Sequence, residues 1–223
     1  MEIARAWLGN GNGSLRLEVA AILSAHPEFG AIVSWVAEPE ARLHFDSFPG
    51  EPRNSDLLVL AEDNFGPFVI AVEGKADEPY GETVGKATAN AAKRLLENTR
   101  SNGMARLDQL AAALLPSNID SESLNALRYQ LLTACACAGA VAEANRRGLA
   151  RAVMLVHKFI TNETEDKKHE SNARDLNAFL TQLSRGEDMN AQAGHLLGPF
   201  KHAAYSRVRL YVGKVSRTIR TPV

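Results

Sequence analysis

Hydrophobic and polar positions along this chain follow two periods, one of strands and one of helices. Two apolar runs, Leu57–Ala61 and Phe68–Val72, flank the segment Glu62-Asp63-Asn64-Phe65-Gly66-Pro67. Short runs rich in Val, Ile, Leu and Phe, separated by turn formers, predict a β-hairpin. A turn centred between Asn64 and Phe65 sets Asp56 opposite Glu73, and a three-residue turn would slip this register by one. Directly opposed residues have Cβ atoms roughly 5 Å apart, near enough for two carboxylates to share a cation. Lys75, two residues beyond Glu73, falls on the same face. One end of an apolar hairpin therefore gathers two acids and an amine. A solvated strand exit would also explain such charges.

Before the hairpin, Leu15, Val19 and Ile22 share one face of a helix predicted from Ser14, its N-cap, to about Ala25. Glu18 lies on that stripe, either with a buried partner or at its wet edge. Phe29–Val36 and Arg42–Phe45 read as two short strands separated by Pro39, and residues 48–55 as a loop. After the hairpin, helices are predicted over Thr83–Glu97 and Met104–Leu115. A long one then runs from a cap at Asp120 or Ser121 to Arg147, closed by Gly148. Leu124, Leu127, Leu131, Ala134 and Ala138 form its stripe, and Gln130 beside it is a surface residue or reaches a neighbouring site.

Arg151–Ile160 reads as a buried strand, reached by a crossover from that helix. Residues 161–170 read as a solvated loop. Ser171 or Asn172 then caps a helix carrying Leu176, Phe179, Leu180 and Leu183. Tyr205–Val212 alternates, with Tyr205, Arg207, Arg209 and Tyr211 on one face and Val208, Leu210 and Val212 on the other. This predicts a half-buried strand, preferentially an edge guarded by charge; arginines with aromatics also suit nucleic acid.

Composition narrows the classes. At 223 residues, 45% hydrophobic and 23% charged, the chain suits one globular domain. Its 25 basic and 26 acidic residues create no global field for a polyanion, so a nucleic-acid partner needs a local patch. Cys135 and Cys137 point in different directions on a helix, which predicts no disulfide. No signal peptide opens the sequence and no apolar run approaches the ~20 residues of a membrane helix, so a cytoplasmic protein without a membrane partner is expected. The six histidines lack zinc-ligand spacing. Residues 9–13, Gly-Asn-Gly-Asn-Gly, lack the preceding strand and the spacing of a dinucleotide fingerprint. Gly81-Glu-Thr-Val-Gly85-Lys86-Ala87 departs from a phosphate loop in glycine spacing and in having Ala87 where a hydroxyl belongs.

The order of a helix with an acid, strands, Asp56 at a strand start, Glu73-Gly74-Lys75 at a strand end, helices and a strand resembles the PD-(D/E)XK nuclease superfamily. Ser55 stands where that motif often has proline. The resemblance covers roughly residues 14–160, and Glu73–Gly81 also looks like the same stretch of an uncharacterised bacterial family. It implies an α/β fold with a restriction-endonuclease-like αβββαβ core, its central mixed sheet flanked by helices. Residues 161–223 would add a C-terminal helix and strand to the same domain. It further implies a Mg²⁺- or Mn²⁺-dependent nuclease, with Asp56, Glu73, the Gly74 carbonyl and Glu18 around the ion. Lys75 would act on the phosphodiester, and Gln130 would match the helix glutamine of some members. The implied partner is nucleic acid, DNA or RNA, with room for a homodimer. The alternative is a non-catalytic member of the fold that binds nucleic acid or protein.

Overall fold

The structure is a computed structural model that describes Trp7, residues 15–46, Phe48, and residues 53–133 and 137–219. Six strands form one mixed sheet: β1 (Ile32–Leu43), β2 (Arg53–Asp63), β3 (Gly66–Lys75), β4 (Arg151–Ile160), β5 (His195–Lys201) and β6 (Arg209–Thr218). Their order across the sheet is β1-β2-β3-β4-β6-β5. The first three are antiparallel neighbours, β3, β4 and β6 run parallel, and β5 returns antiparallel on β6. Helix α1 (Leu17–Ser24) precedes the sheet. Helices α2 (Val84–Glu97), α3 (Gly103–Leu114), α4 (Ser121–Ala126), α5 (Tyr129–Leu132) and α6 (Cys137–Arg146) connect β3 to β4, and α7 (Asp166–Leu183) leads to β5.

Both sheet faces are covered, which is why the central strands read as continuous apolar runs. On one face Leu57, Val59, Ile70, Val72, Val153 and Leu155 pack with Val19, Ile22 and Leu23 of α1. On the other, Leu58, Val69, Ala71, Met154 and Val156 pack with Tyr80, Leu110, Leu131, Val141, Leu176 and Phe179. The hairpin has the expected register, from Leu57 opposite Val72 to Asp63 opposite Gly66. Its tip is pinned by Arg151, which donates to Asp63 Oδ1 and Oδ2 (2.7 and 2.9 Å) and to the carbonyls of Glu28 and Gly66. Burial alone would push the Asp63 carboxyl up. The Arg151 hydrogen bonds and the Gly30 and Phe65 N–H groups outweigh it and hold the group below its ordinary value.

Several expectations change. Ser14 and residues 9–13 lie outside the described residues, and Arg16 stands at the N-cap of α1. The two short strands around Pro39 are one strand, β1. It is the edge strand of the sheet formed by the described residues, so Pro39, which lacks an N–H, is tolerated there. The long helix is broken at Leu127 and Arg128, whose backbones are extended. There Thr83 and Arg128 form an isolated bridge, and Tyr129 N donates to Glu82 O. Helix α7 starts at Asp166, so Ser171 and Asn172 lie inside it. Strand β6 starts at Arg209 and is central: Tyr211, expected outside, is fully buried. Among the described helices none is long and apolar enough to cross a membrane.

Candidate active site

Strands β3 and β4 end side by side, with Glu73 level with Val156 and Lys75 with Lys158. The carboxyl ends of neighbouring parallel strands are where ligands bind in open α/β sheets. The alternation that buries Ala71 directs Glu73 and Lys75 to the same face. That of Leu58 brings Asp56 there from β2. The Lys75 ammonium lies 3.0 Å from Glu73 Oε1 and donates to Gln130 Oε1 at 3.1 Å. The Gln130 amide in turn donates to Glu73 Oε1 at 2.5 Å. Glu73, Lys75 and Gln130 thus close a three-membered ring of polar contacts. Asp56 Oδ2 accepts the Gly74 N–H at 2.8 Å.

Gln130 arrives through the helix break. The short α5 is anchored by fully buried Leu131 and Leu132. Arg128, just before it, is tied to Asp175 (2.8 Å) and to the Gly81 carbonyl (2.9 Å). These contacts fix the backbone from which Gln130 reaches the strand ends.

The ring's charged members are nearly dry, Glu73 2% and Lys75 5% exposed, while Gln130 is half-buried. Burial raises the Glu73 carboxyl to about 7, with Lys75 opposing and the Asp56 charge reinforcing the rise. Asp56 is also raised, first by burial, against the Gly74 N–H and Lys75, with Glu40 and Glu78 adding to it. Glu73 Oε2 is buried without a hydrogen-bond partner among the described residues. A buried carboxylate oxygen left unpaired is costly. Beside a second carboxylate, Asp56, such an oxygen asks for a cation.

Three further residues contribute, of which sequence reasoning missed Tyr80 and Glu40. Tyr80, fully buried, sets its ring 5.3 Å from the Lys75 ammonium. Glu78 approaches the same ammonium at 3.8 Å. Glu40, at φ 51°, sits between the Pro39–Leu57 and Ala41–Ser55 pairs and so opposite Asp56. Asp77 and Glu78 are legible in the sequence as acids directly after the strand end; Glu40 carried no signal because its strand was read as two.

Glu18 is not brought to this group. It projects from α1 on the opposite face, where its Oε1 lies 3.0 Å from Arg217 Nε and 3.5 Å from His157 Nε2. His157 is fully buried, and its Nδ1 accepts from Trp7 Nε1 at 3.0 Å. Burial first, then the charges of Arg217 and Arg16, drop its pKa to about 3. The imidazole is therefore neutral, with its proton on Nε2 toward Glu18. Among the described residues no group of three His, Cys, Asp or Glu side chains is disposed to hold a metal. The donor set that remains is Asp56 and Glu73, two hard carboxylates, which suits an ion that keeps several waters.

No curated protein and no solved structure matches the chain. One family model does, over residues 1–219, and the chain belongs to that family, described as a domain of unknown function (DUF6946).

Proposed function

We propose that this chain is a Mg²⁺- or Mn²⁺-dependent nuclease of the PD-(D/E)XK type, built on a restriction-endonuclease-like core. The observation that carries the reading is Glu73: a buried carboxylate, raised to about 7, with Oε2 unpartnered, flanked by Asp56 and Lys75 at a strand end. Asp56, Glu73 and the Gly74 carbonyl would hold the ion, which would supply Lewis-acid polarisation of a phosphodiester. Lys75 offsets charge developing on the phosphoryl oxygens. Gln130 keeps the Lys75 ammonium and the Glu73 carboxylate in register with each other. Glu18 has no part in this reading; its partners are Arg217 and His157.

The test is hydrolysis of labelled DNA and RNA, single- and double-stranded, with Mg²⁺ or Mn²⁺. Asp56→Asn, Glu73→Gln and Lys75→Met should each lower the rate by at least about a hundredfold, while Glu18→Gln should leave it within a few-fold. An active Glu73→Gln protein would contradict the proposal.

A second reading, a non-catalytic nucleic-acid or protein binding module on the same fold, is favoured by one observation. Glu73 and Lys75 are nearly enclosed and already pair with each other and with Gln130. It expects a folded protein with no divalent-ion site and no hydrolysis.

A further inference from the structure

Three adjacent strands carry a lysine near the same end and on the same face: Lys75 on β3, Lys158 on β4 and Lys214 on β6. With Tyr80 and with His169 and Asn172 of α7, they line one small cavity. Lys75 is committed to Glu73 and Gln130. Lys158 and Lys214 have no carboxylate within ion-pair distance among the described residues. Lys168, one residue before His169, contrasts with them, being paired to Asp77 and Glu165.

His169 sharpens the case. It is 6% exposed, and its Nε2 is buried without a hydrogen-bond partner. Asp77 and Asp166 act on His169, but Lys158 and Lys214 are like charges without a carboxylate partner of their own among the described residues, which destabilises a fold. Burial and the neighbouring Lys158 charge both press Lys214 toward losing its proton. Such a cluster is relieved by an anion that accepts from several N–H donors at once.

We propose that Lys158 and Lys214, backed by the buried His169, form a binding site for a phosphoryl oxyanion beside the Glu73–Lys75 pair. The cavity measures about 10 Å³, room for about one water. The oxyanion therefore seats at its mouth, where the partly exposed Lys158 and Lys214 side chains reach solvent. The site stands on these side chains alone; assigning its occupant to a nucleic-acid phosphate rests on the nuclease reading.

The experiment titrates inorganic phosphate into wild type and into Lys158→Gln, Lys214→Gln, Lys214→Arg and the double Gln variant, with circular dichroism confirming each fold. Calorimetry should find phosphate binding that each single Gln variant weakens about tenfold, that Lys214→Arg retains, and that the double variant loses. Should a Lys214 variant fail to fold, Lys158→Gln, at a partly exposed position, carries the test. Equal binding in wild type and Lys158→Gln, or no binding to wild type at any soluble phosphate concentration, overturns the site. Mn²⁺ is titrated into the same samples. Phosphate bound without Mn²⁺ sinks the nuclease reading alone, and Mn²⁺ bound without phosphate sinks this site alone. Oligonucleotides with and without a 5′-phosphate then separate sources: tighter binding of the phosphorylated strand identifies an end group, equal binding the backbone.

Discussion

At the scale of single residues, Glu73 is where burial and charge are in conflict. An ordinary glutamate titrates near 4.5, and this one near 7 in the folded protein. A carboxyl raised on folding contributes stability fully present below the unfolded value and lost as pH rises through the folded one. Ionising Glu73 therefore costs the metal-free protein on the order of 3 kcal/mol above pH 7. Glu73→Gln removes that cost while keeping an oxygen to accept from Gln130. Urea denaturation should find the variant more stable than wild type by about 2–3 kcal/mol at pH 8 and little different at pH 4. An equal difference at both pH values would mean that the carboxyl is not raised. Lys75 behaves oppositely: its removal leaves Glu73 buried without its counter-charge, so Lys75→Met should be destabilising as well as inactive.

At the scale of elements, legibility followed the cause of each element. The hairpin was readable because local chemistry made it: Asp63 Oδ1 accepts the Phe65 N–H within the turn, and Gly66 takes φ 108° just after it. The site acids came with it, since strand alternation carries register to Asp56, Glu73 and Lys75. The break before Gln130 was hidden because the stripe Leu124, Leu127, Leu131 keeps helical period straight through it. Its cause is tertiary, a bridge from Arg128 to Thr83. The first turn of α7 looked like loop because its charges are spent on partners distant in sequence, such as Lys168 on Asp77. Strand β5 was missed because Gly198 and Pro199, which interrupt its pairing with β6, read as breakers. Strand β6 was taken for an edge, yet it lies between β4 and β5 with Leu210, Tyr211 and Val212 fully buried. Ending the chain at residue 194 should therefore unfold it, seen as lost near-ultraviolet dichroism and rapid proteolysis. A folded truncation would show that residues 1–194 are self-sufficient.

At the scale of the whole molecule, the two sheet faces divide the work. The α1 face holds apolar packing and the Glu18–Arg217–His157–Trp7 set. The opposite face carries the Asp56, Glu73, Lys75 and Gln130 group at the strand ends, and the lysine cluster beside it. A near-neutral chain can address a polyanion only through such a local concentration of positive charge. The central claim is that the acid pair is a metal site, and it can be tested before any substrate is known. The measurement is a calorimetric Mn²⁺ titration of wild type and Glu73→Gln at pH 6.5, in two buffers of different ionisation enthalpy. The account predicts saturable binding to wild type accompanied by proton release, because Glu73 must deprotonate to ligate. It predicts no specific binding to the folded variant. Binding of equal strength in both proteins, or none to folded wild type, would contradict it.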